Sequence, residues 1–275
     1  MSEDTKKAAT VGLQWTALSD LGCRRKNNED AWGAWSLGEV LARMPAEPQI
    51  WPEHGCLLIV SDGMGGAKAG EIASEFCVTQ LPRSIHQRRQ AADRGTVMRD
   101  ALKETHEALV RQAAADPLKE GMGATLSALW VLADGTAVLG HVGDSRIYRR
   151  AGGKWVQLTA DQSVGAGLVR RGEMSEKEVS RLRYRAMLEQ VMGGEGGPLD
   201  PQVNVEPWEA GQDFLFCSDG LHGPLEAEIP DVYEKALCKA TLADGAEWLV
   251  AQANAAGGPD NITVLLARFM PKSDG

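Results

Sequence analysis

The chain carries the same short pattern twice, an apolar run that ends in Ser-Asp-Gly. The first copy is Leu57–Gly63 and the second is Phe214–Gly220. A run of four or five large apolar residues bounded by turn residues predicts a buried strand. Each strand then presents a carboxylate, Asp62 or Asp219, where the chain turns. Carboxylates are preferred ligands of Mg²⁺ and Mn²⁺, so the pair suggests a metal site built on rigid elements.

The alternative interpretation is that each Asp-Gly pair is only a turn, because Asp-Gly is a common turn dipeptide. Asp134-Gly135 lies between two apolar runs and predicts a hairpin turn. Asp244-Gly245 and Asp274-Gly275 are further copies. Asp62 and Asp219 differ from these because a matching strand precedes each of them and other acidic residues occupy similar positions.

Acidic residues stand beside turn-forming residues at five places, which are Glu29-Asp30, Asp62, Asp144, Asp219 and Asp260. Four of the five lie at a predicted strand end, and such ends can converge at one edge of a sheet. Carboxylates that lie close together repel each other unless a cation holds them. A site with two metal ions is the simplest explanation of this pattern.

The elements that must position these residues come in runs of strands and pairs of helices. Helices are predicted at 67–90 and around 98–109, and later at 232–239 and 243–255. Four spans predict an antiparallel meander, namely 125–132, 136–142, 146–149 and 155–158, and a last strand is predicted at 262–269. This order favours an α+β layered domain with antiparallel sheets over a doubly wound parallel sheet.

Two segments have no regular pattern. The span 37–55 contains three prolines and is the best candidate for a long loop. The span 164–185 is rich in arginine and predicts a surface segment with a short helix near 175–183. Neither one has the composition of a linker that would divide the chain.

Composition restricts the function and the compartment. The formal net charge of −9 over 275 residues argues against general nucleic-acid binding, which needs a basic face. Residues 1–9 are polar and no apolar run approaches the ~20 residues that cross a bilayer, so we expect neither a signal peptide nor a membrane span. Five cysteines without a Cys-x-x-Cys pair indicate free thiols in a reducing compartment. The expected location is the cytoplasm, and the expected oligomeric state is a monomer.

Eight short motifs follow one another in a specific order, although no single one is decisive. They are Ser19–Arg25, Asn28–Asp30, Ser61–Gly66, Gly121–Thr125, Gly143–Arg146, Leu158–Asp161, Ser218–Leu221 and Asp260–Thr263. Together they resemble the metal-dependent protein phosphatases of the protein phosphatase 2C type, in their bacterial form. The resemblance covers about 16–269 and implies one phosphatase domain over 1–275. The fold that it implies is a four-layer α-β-β-α sandwich with two central antiparallel sheets and a metal site at one edge.

The resemblance also implies roles for the acidic residues. Asp62 would bridge two Mn²⁺ or Mg²⁺ ions, and the backbone carbonyl of Gly63 would bind one of them. Asp219 and Asp260 would hold the other ion. The remaining implied metal-binding residues are Glu29 and Asp30, which would act directly or through bound water, and Asp144, which would share a third ion with Asp219.

The implied reaction is hydrolysis of phosphoserine or phosphothreonine by direct attack of a metal-activated water. Arg25 matches the arginine that clamps the substrate phosphate, and its guanidinium offers a forked pair of donors to two oxygens. Arg25, Asp62 and Asp219 are therefore the expected catalytic residues. The span 164–185 matches the variable flap beside the site.

The chain departs from the eukaryotic pattern at Met64, where those members have a histidine that is thought to protonate the leaving group. His222 could replace it, although an ordinary loop histidine near the site is the competing interpretation. Gln162 stands where the family often has histidine, and we expect it to tune activity. Asp161 is expected to be structural and His141 to lie in a strand. Surface positions are predicted for His54, His86 and His106.

Two further patterns have ordinary explanations. Cys77 and Arg83 have the spacing of cysteine-dependent phosphatases, but the residues between them contain no glycine and continue a helix pattern. We therefore predict a buried helical cysteine. The flap arginines could contact an acidic phosphopeptide or simply be solvated, and they are Arg170, Arg171, Arg181, Arg183 and Arg185.

The expected function is that of a metal-dependent Ser/Thr phosphoprotein phosphatase. Its partners would be phosphorylated proteins and a bacterial Ser/Thr kinase that it opposes, and some relatives act beside the kinase that controls a type VI secretion system. One alternative is a regulator that binds phosphoproteins without turnover. Another is a different metal-dependent phosphoester hydrolase, such as a nuclease or nucleotide phosphatase.

Overall fold

The structure is a computed structural model that describes residues 12–46, 49–50, 54–65, 69–132, 134–225 and 231–270. The strands in chain order are β1 (Gly12–Asp20), β2 (Asp30–Leu37), β3 (Leu41–Arg43), β4 (Gln49–Ile50), β5 (Cys56–Met64), β6 (Gly123–Ala124), β7 (Leu126–Val131), β8 (Thr136–Val142), β9 (Arg146–Ala151), β10 (Lys154–Gln157), β11 (Met192–Gly193), β12 (Gln202–Pro207), β13 (Asp213–Cys217) and β14 (Ile262–Met270). The helices are α1 (Ala69–Gln87), α2 (Arg94–Ala114), α3 (Val164–Arg170), α4 (Glu176–Val179), α5 (Asp219–Leu225), α6 (Asp231–Leu237) and α7 (Leu242–Ala255), and Pro117–Lys119 forms a 3-10 turn.

These strands form two antiparallel sheets. The first sheet has the order β10-β9-β13-β14-β1-β4. The second has the order β11-β6-β5-β7-β8-β12, and β2 pairs with both β5 and β3. The sheets lie face to face, because one buried cluster combines Leu58 and Val60 of β5 with Phe214 and Phe216 of β13.

The outer faces of the sheets are covered by helices. Leu57 and Ile59, which alternate with the inward residues of β5, pack with α1 and α2. Leu215 and Cys217 of β13 likewise pack with α5, α6 and α7. Because both faces of β5 and β13 are buried, each strand has a nearly continuous apolar sequence. The result is the predicted α-β-β-α sandwich.

Individual helix ends follow from local sequence. Asp93 caps α2, where its side chain accepts a hydrogen bond from the Thr96 N–H at 3.0 Å. Ser175 and Glu178 form a reciprocal capping box at the start of α4. Within the described ranges, no helix is long and apolar enough to cross a membrane.

The four strands predicted to form one meander are divided between the two sheets, so this prediction is wrong. The hairpin of β7 and β8 is present, with Asp134 in its turn, but β9 and β10 form a second hairpin in the other sheet. The chain crosses between sheets at Gly143–Ser145, where Gly143 has a φ of 104° that favours glycine. Local alternation predicts strands, but it does not say which strands pair.

Other predicted spans need smaller corrections. The predicted helix at 67–90 is α1, but α1 ends at Gln87 and residues 88–90 form a turn, and residues 66–68 lie outside the description. The predicted loop at 37–55 contains β3 and β4, and residues 47–48 and 51–53 lie outside the description. The flap contains α3 in addition to the predicted short helix. Seven of the described strands lie outside the predicted ones, namely β1, β2, β12 and the short strands β3, β4, β6 and β11.

Candidate metal centre

The five acidic segments of the sequence meet near one edge of the two sheets. Asp30 begins β2 and lies directly opposite Asp62 of β5 in the antiparallel ladder. Asp144 lies in the crossing between β8 and β9, and Asp260 stands two residues before β14. Asp219 is the first residue of α5, two residues after β13. Both sheets therefore contribute carboxylates.

Neither Ser-Asp-Gly copy forms the simple turn that its sequence suggests. β5 continues through Asp62 to Met64, because Gly63 and Met64 pair with β6. Asp219 starts a helix instead of a turn. At Gly63 a side chain could not be accommodated, since a Cβ atom there would overlap the carbonyl oxygen of Gly70.

The carboxylates at this edge favour protons when no cation is present. Burial, aided by the charges of Asp219 and Asp260, raises the pKa of Asp30 to about 7 even though Ser218 donates a hydrogen bond to it. Burial and the neighbouring Asp219 also raise the pKa of Asp144 to about 7. The pKa of Asp62 lies well above its usual range, because the residue is buried and faces Asp30 and Asp219.

Two carboxylate oxygens of this group have no hydrogen-bond partner. Oδ1 of Asp30 and Oδ1 of Asp219 are buried and unsatisfied among the described side chains. Buried polar atoms are normally paired, and a hard cation with oxygen ligands would satisfy both oxygens. The donors are carboxylates and backbone carbonyls, which suits Mn²⁺ or Mg²⁺ and not a thiolate-bound metal.

The structure brings these carboxylates next to each other but does not gather them around one point. Within the described ranges, no three acidic, histidine or cysteine side chains form a ready coordination shell. Ser218 Oγ donates to Asp30 at 2.7 Å, and Arg25 binds Asp260.

Arg25 lies at the rim of the carboxylate group. Its Nη2 atom is 2.5 Å from Oδ2 of Asp260, and about half of its side chain is exposed, 49%. The hydrogen bond to Asp260 raises the pKa of Arg25, and the charges of Glu29 and Asp62 add to the effect. An exposed guanidinium beside a metal site is well placed to bind a phosphate.

Glu29 is held in place by its backbone. Its carbonyl accepts hydrogen bonds from the Gly63 N–H at 3.1 Å and from Ser74 Oγ at 2.6 Å. Its N–H donates to Oδ1 of Asn261 at 2.8 Å. Burial raises the pKa of the Glu29 carboxyl. Glu29 therefore joins β5, α1 and the segment before β14 at one point.

A buried chain of hydroxyl groups connects Asp62 with the Asp144 crossing. The Asp62 N–H donates to Thr125 Oγ1 at 2.9 Å, and that oxygen lies 2.7 Å from Ser145 Oγ. Ser127 Oγ donates to the Ser145 carbonyl, so it accepts from Nδ1–H of His141. Thr125 and Ser145 belong to recognised motifs, but their sequence patterns alone did not assign them a role.

His222 does not have the properties of a proton donor. It is buried in α5, and its Nε2 donates to the carbonyl oxygen of Asp144 at 3.0 Å. Burial and the positive charge of Arg146 lower the pKa of His222 to about 4. The ring is therefore neutral at neutral pH and orients the Asp144 crossing.

Gln162 and Asp161 have structural contacts. Gln162 forms two hydrogen bonds with Gly143. Its N–H donates to the Gly143 carbonyl, and its Oε1 accepts from the Gly143 N–H. Asp161 forms a two-pronged ion pair with Arg146. Burial opposes ionisation of Asp161, but this ion pair prevails and lowers its pKa. These contacts agree with the structural interpretation of Asp161.

Two other sequence interpretations can be compared with the structure. Cys77 lies buried in α1 and burial raises its pKa to about 12, as expected for a structural cysteine. The prediction that His106 lies on the surface is wrong. It is buried in α2, where Nδ1 accepts from the Gly193 N–H and Nε2 donates to the Gly197 carbonyl.

A groove of about 660 Å³ runs from the carboxylates to the flap, and we call it the flap groove. Asp144 and Asp219 lie at its inner end, and Arg170 and Arg185 line its flap side. The groove is open and next to the candidate metal site. A chain attached to a group bound at the carboxylates could therefore extend along it.

The chain is similar to known bacterial phosphatases. A family model described as Protein phosphatase 2C matches residues 48–254. The serine/threonine phosphatase stp of Listeria innocua is 32% identical over 252 residues, which are 90% of this chain and 92% of stp. The serine/threonine protein phosphatase PstP of Mycobacterium tuberculosis is 31% identical over 94% of this chain, which spans only 45% of PstP.

Comparison with solved structures agrees with the sequence similarity. A crystal structure of the catalytic domain of PstP in complex with two manganese ions has a TM-score of 0.76 and 30% identity. The similarity covers 95% of this chain and all of that domain, 100%. The family model covers more than half of the chain, and the relatives match it almost from end to end. The chain therefore belongs to the protein phosphatase 2C family.

Proposed function

We propose that the protein is a Ser/Thr phosphoprotein phosphatase that requires two Mn²⁺ or Mg²⁺ ions. The observation that carries the proposal is the group of buried carboxylates with Arg25 at its rim. The unsatisfied oxygens of Asp30 and Asp219 indicate where positive charge is needed. The sequence similarity to named Ser/Thr phosphatases supports the substrate class.

The proposed ligands are the carboxylates of Asp62, Asp219 and Asp260, the carbonyl of Gly63, and Glu29 and Asp30 directly or through water. Asp144 and Asp219 would hold a third ion. When bound, such ions neutralise the charge of the phosphoryl group and lower the pKa of the attacking water. Arg25 binds two phosphate oxygens and fixes the orientation of the phosphoryl group. The full list of proposed ligands is Glu29, Asp30, Asp62, Gly63, Asp144, Asp219 and Asp260.

The remaining residues hold this arrangement. His222 keeps its proton on the Asp144 carbonyl and does not deliver one to the leaving group. Thr125 and Ser145 keep the Asp62 strand and the Asp144 crossing at a fixed separation. We further propose that one phosphatase domain spans 1–275, that it works as a monomer in the cytoplasm, and that it opposes a Ser/Thr kinase.

The test is hydrolysis of p-nitrophenyl phosphate and of a phosphothreonine peptide. With Mn²⁺ the protein should hydrolyse both, and a chelator should stop the reaction. Asp62→Asn and Asp219→Asn should lower kcat by about a thousandfold or more, since each removes charge that the ions need. Correct folding of these variants is checked by circular dichroism.

Several results would contradict the proposal. Absence of hydrolysis with every divalent metal would favour a binding protein without turnover. Much faster cleavage of a nucleotide than of the peptide would favour another phosphoester hydrolase. Near-normal activity of Asp62→Asn would show that the ligand assignment is wrong.

A further inference from the structure

One buried amide side chain, that of Asn261, binds the connection between β1 and β2 at both of its ends. Its Nδ2 donates to the carbonyl oxygens of Leu21 and Asn27, each at 3.0 Å. Its Oδ1 accepts from the N–H of Glu29 at 2.8 Å. Only 4% of Asn261 is exposed. Both amide protons and the amide oxygen are therefore used within this connection.

The orientation of this amide is determined by its partners. A rotated amide would place its oxygen against two carbonyl oxygens and its NH₂ group against an N–H. Replacing Asn261 by an apolar residue would leave the carbonyls of Leu21 and Asn27 without these donors. Buried groups without partners are costly, so the connection would have to rearrange or become mobile.

Arg25 lies inside the bound connection, between the two carbonyl groups that Asn261 holds. Its guanidinium pairs with Asp260, and the N–H of Asn261 donates to Oδ1 of the same carboxylate at 2.8 Å. The Cys23 N–H donates to the Gly258 carbonyl at 2.8 Å. The backbone that carries Arg25 is thus fixed directly on the segment before β14.

The connection also approaches that segment too closely for a side chain at Gly22. A Cβ atom there would overlap the carbonyl oxygen of Asp260, and the φ of Gly22 is 75°. Asn254 of α7 supports the same connection, since its Nδ2 donates to Asp20 at 3.0 Å and its Oδ1 lies 3.3 Å from the Cys23 thiol. Asn261 therefore holds the backbone around Arg25, and Asn254 holds the neighbouring side chains of Asp20 and Cys23.

We infer that Asn261 is a positioning residue that fixes Arg25 for binding of the substrate phosphate, an inference that rests on the proposed function. Arginine has high conformational freedom, and a phosphate contact loses strength when the backbone beneath it moves. Asn261 touches neither the phosphate nor the reacting atoms. Its contribution to phosphate binding should therefore pass through Arg25, whereas its bond to the Glu29 N–H would act whether or not Arg25 is present.

A double-mutant cycle tests this dependence. Arg25→Ala should raise KM for p-nitrophenyl phosphate about tenfold, the loss expected for a charge-assisted hydrogen bond. Asn261→Ala should raise KM about fivefold when Arg25 is present but less than about twofold in the Arg25→Ala background. A residue that acted only on general stability would change KM by the same factor in both backgrounds.

Stabilisation by inorganic phosphate gives the same comparison without turnover. In the presence of Mn²⁺, phosphate should raise the melting temperature of the parent protein. The shift should be mostly lost in Arg25→Ala and in Asn261→Ala, with no further loss in the double variant. If Asn261→Ala does not fold, Asn254→Ala replaces it, because Asn254 holds the same connection from α7.

Asn28→Ala is the matched control. Asn28 is an asparagine two residues before Asp30, and it binds Ser19 Oγ at 2.9 Å and the Asp30 N–H at 3.2 Å. Asn28→Ala should change KM by the same factor in the presence and in the absence of the Arg25 side chain. An equal KM factor for Asn261→Ala in both backgrounds would overturn the inference. If the parent protein hydrolyses nothing but its phosphate shift depends on Asn261 and Arg25 together, the proposed function fails and the positioning role stands.

Discussion

Asp30 and Asp62 are carboxylates that face each other across two paired strands, and both are buried. Such a pair is favourable only when protons or a cation compensate its charge. The residues that could form a metal site are therefore also a source of instability in the protein without metal.

The stability of the metal-free protein should fall as the pH rises from about 6.5 to 8. The pKa of Asp30 and of Asp144 is about 7 in the folded protein against an ordinary value of 3.8, so the folded state holds protons that the unfolded state has lost. This contribution to the free energy of unfolding is complete when the pH is below the carboxyl pKa of the unfolded state. It is lost as the pH rises through the pKa of the folded state. Burial lowers the pKa of His141 and His222 to about 4 from the ordinary value of 6.5. These two residues make stability rise with pH, but only below about pH 6.5, so they do not offset the loss at higher pH.

Melting temperatures measured in a chelator between pH 6 and 8 check this prediction. Mn²⁺ should raise the melting temperature most at pH 8 and flatten the curve. Asp62→Asn should reduce the dependence of the melting temperature on pH, because one charge of the carboxylate group is removed. A melting temperature in chelator that rises with pH over this range would contradict the electrostatic account.

At this scale the sequence predicted the charged residues but not their neutral supports. The acidic residues and Arg25 could be assigned because charge and motif order single them out. Asn261, Thr125 and Ser145 could not, because their partners are distant in sequence. Asn261 binds Glu29 across 232 positions, and no local pattern predicts such a contact.

The flap is the element whose sequence allowed two interpretations. Its two ends are tied to each other, since the Val164 N–H donates to the Met187 carbonyl at 2.7 Å and the Gly165 N–H to the Arg185 carbonyl at 2.9 Å. Arg170 and Arg185 line the flap groove, whereas Arg181 is exposed and does not. The five arginines of the flap are therefore not equivalent.

Charge reversal in the flap groove should change substrate preference. Arg185→Glu should raise KM about threefold to tenfold for a phosphopeptide with acidic neighbours of the phosphothreonine, because like charges then meet in the groove. It should leave p-nitrophenyl phosphate unaffected, since that substrate has no peptide chain to enter the groove. Parallel kinetics of both substrates provide the measurement.

Arg181→Glu is the control for this experiment, because it makes the same charge change on the same segment outside the groove. Similar effects of both variants would indicate general attraction instead of a local contact. No effect of either variant on the acidic peptide would favour the interpretation that the flap charges are only solvated.

Strand pairing could be predicted less well than the strands themselves. Apolar runs identify β5, β7, β8, β13 and β14, but β12 is a polar, partly exposed strand at the sheet edge that lacks such a signal. β2 contains a glycine and two tryptophans without regular alternation. β1 does alternate, with Leu13 and Trp15 buried, and its signal could have been recognised.

In the whole molecule, the candidate ligands are divided between the two sheets. Asp30 and Asp62 belong to the eight-stranded sheet, whereas Asp219 and Asp260 lie next to β13 and β14 of the other. An ion held by both groups would connect the two halves of the sandwich. Layer order was implied by the family resemblance, but this division could not be predicted from the sequence, because it depends on which strands share a sheet.

Metal binding should therefore stabilise the whole fold in one transition. At an ion concentration about 100 times Kd, linkage gives about 2.7 kcal/mol of added stability. Differential scanning calorimetry with Mn²⁺ should show a single peak that moves to higher temperature. In the same titration, the peak of Asp62→Asn should change little in temperature. A second peak of the parent protein whose temperature does not depend on Mn²⁺ would contradict the prediction.

The pairing of Asp30 with Asp62 also limits where the chain tolerates added length. A one-residue shift of β2 against β5 would turn one of the two side chains to the opposite face of the sheet. In the connection between these strands, the bend at 38–40 has no such restriction, because extra loop residues cost little. For protein engineering, this bend is accordingly the natural place to insert a reporter domain, whereas even a single added residue within β2 or β5 would dismantle the site.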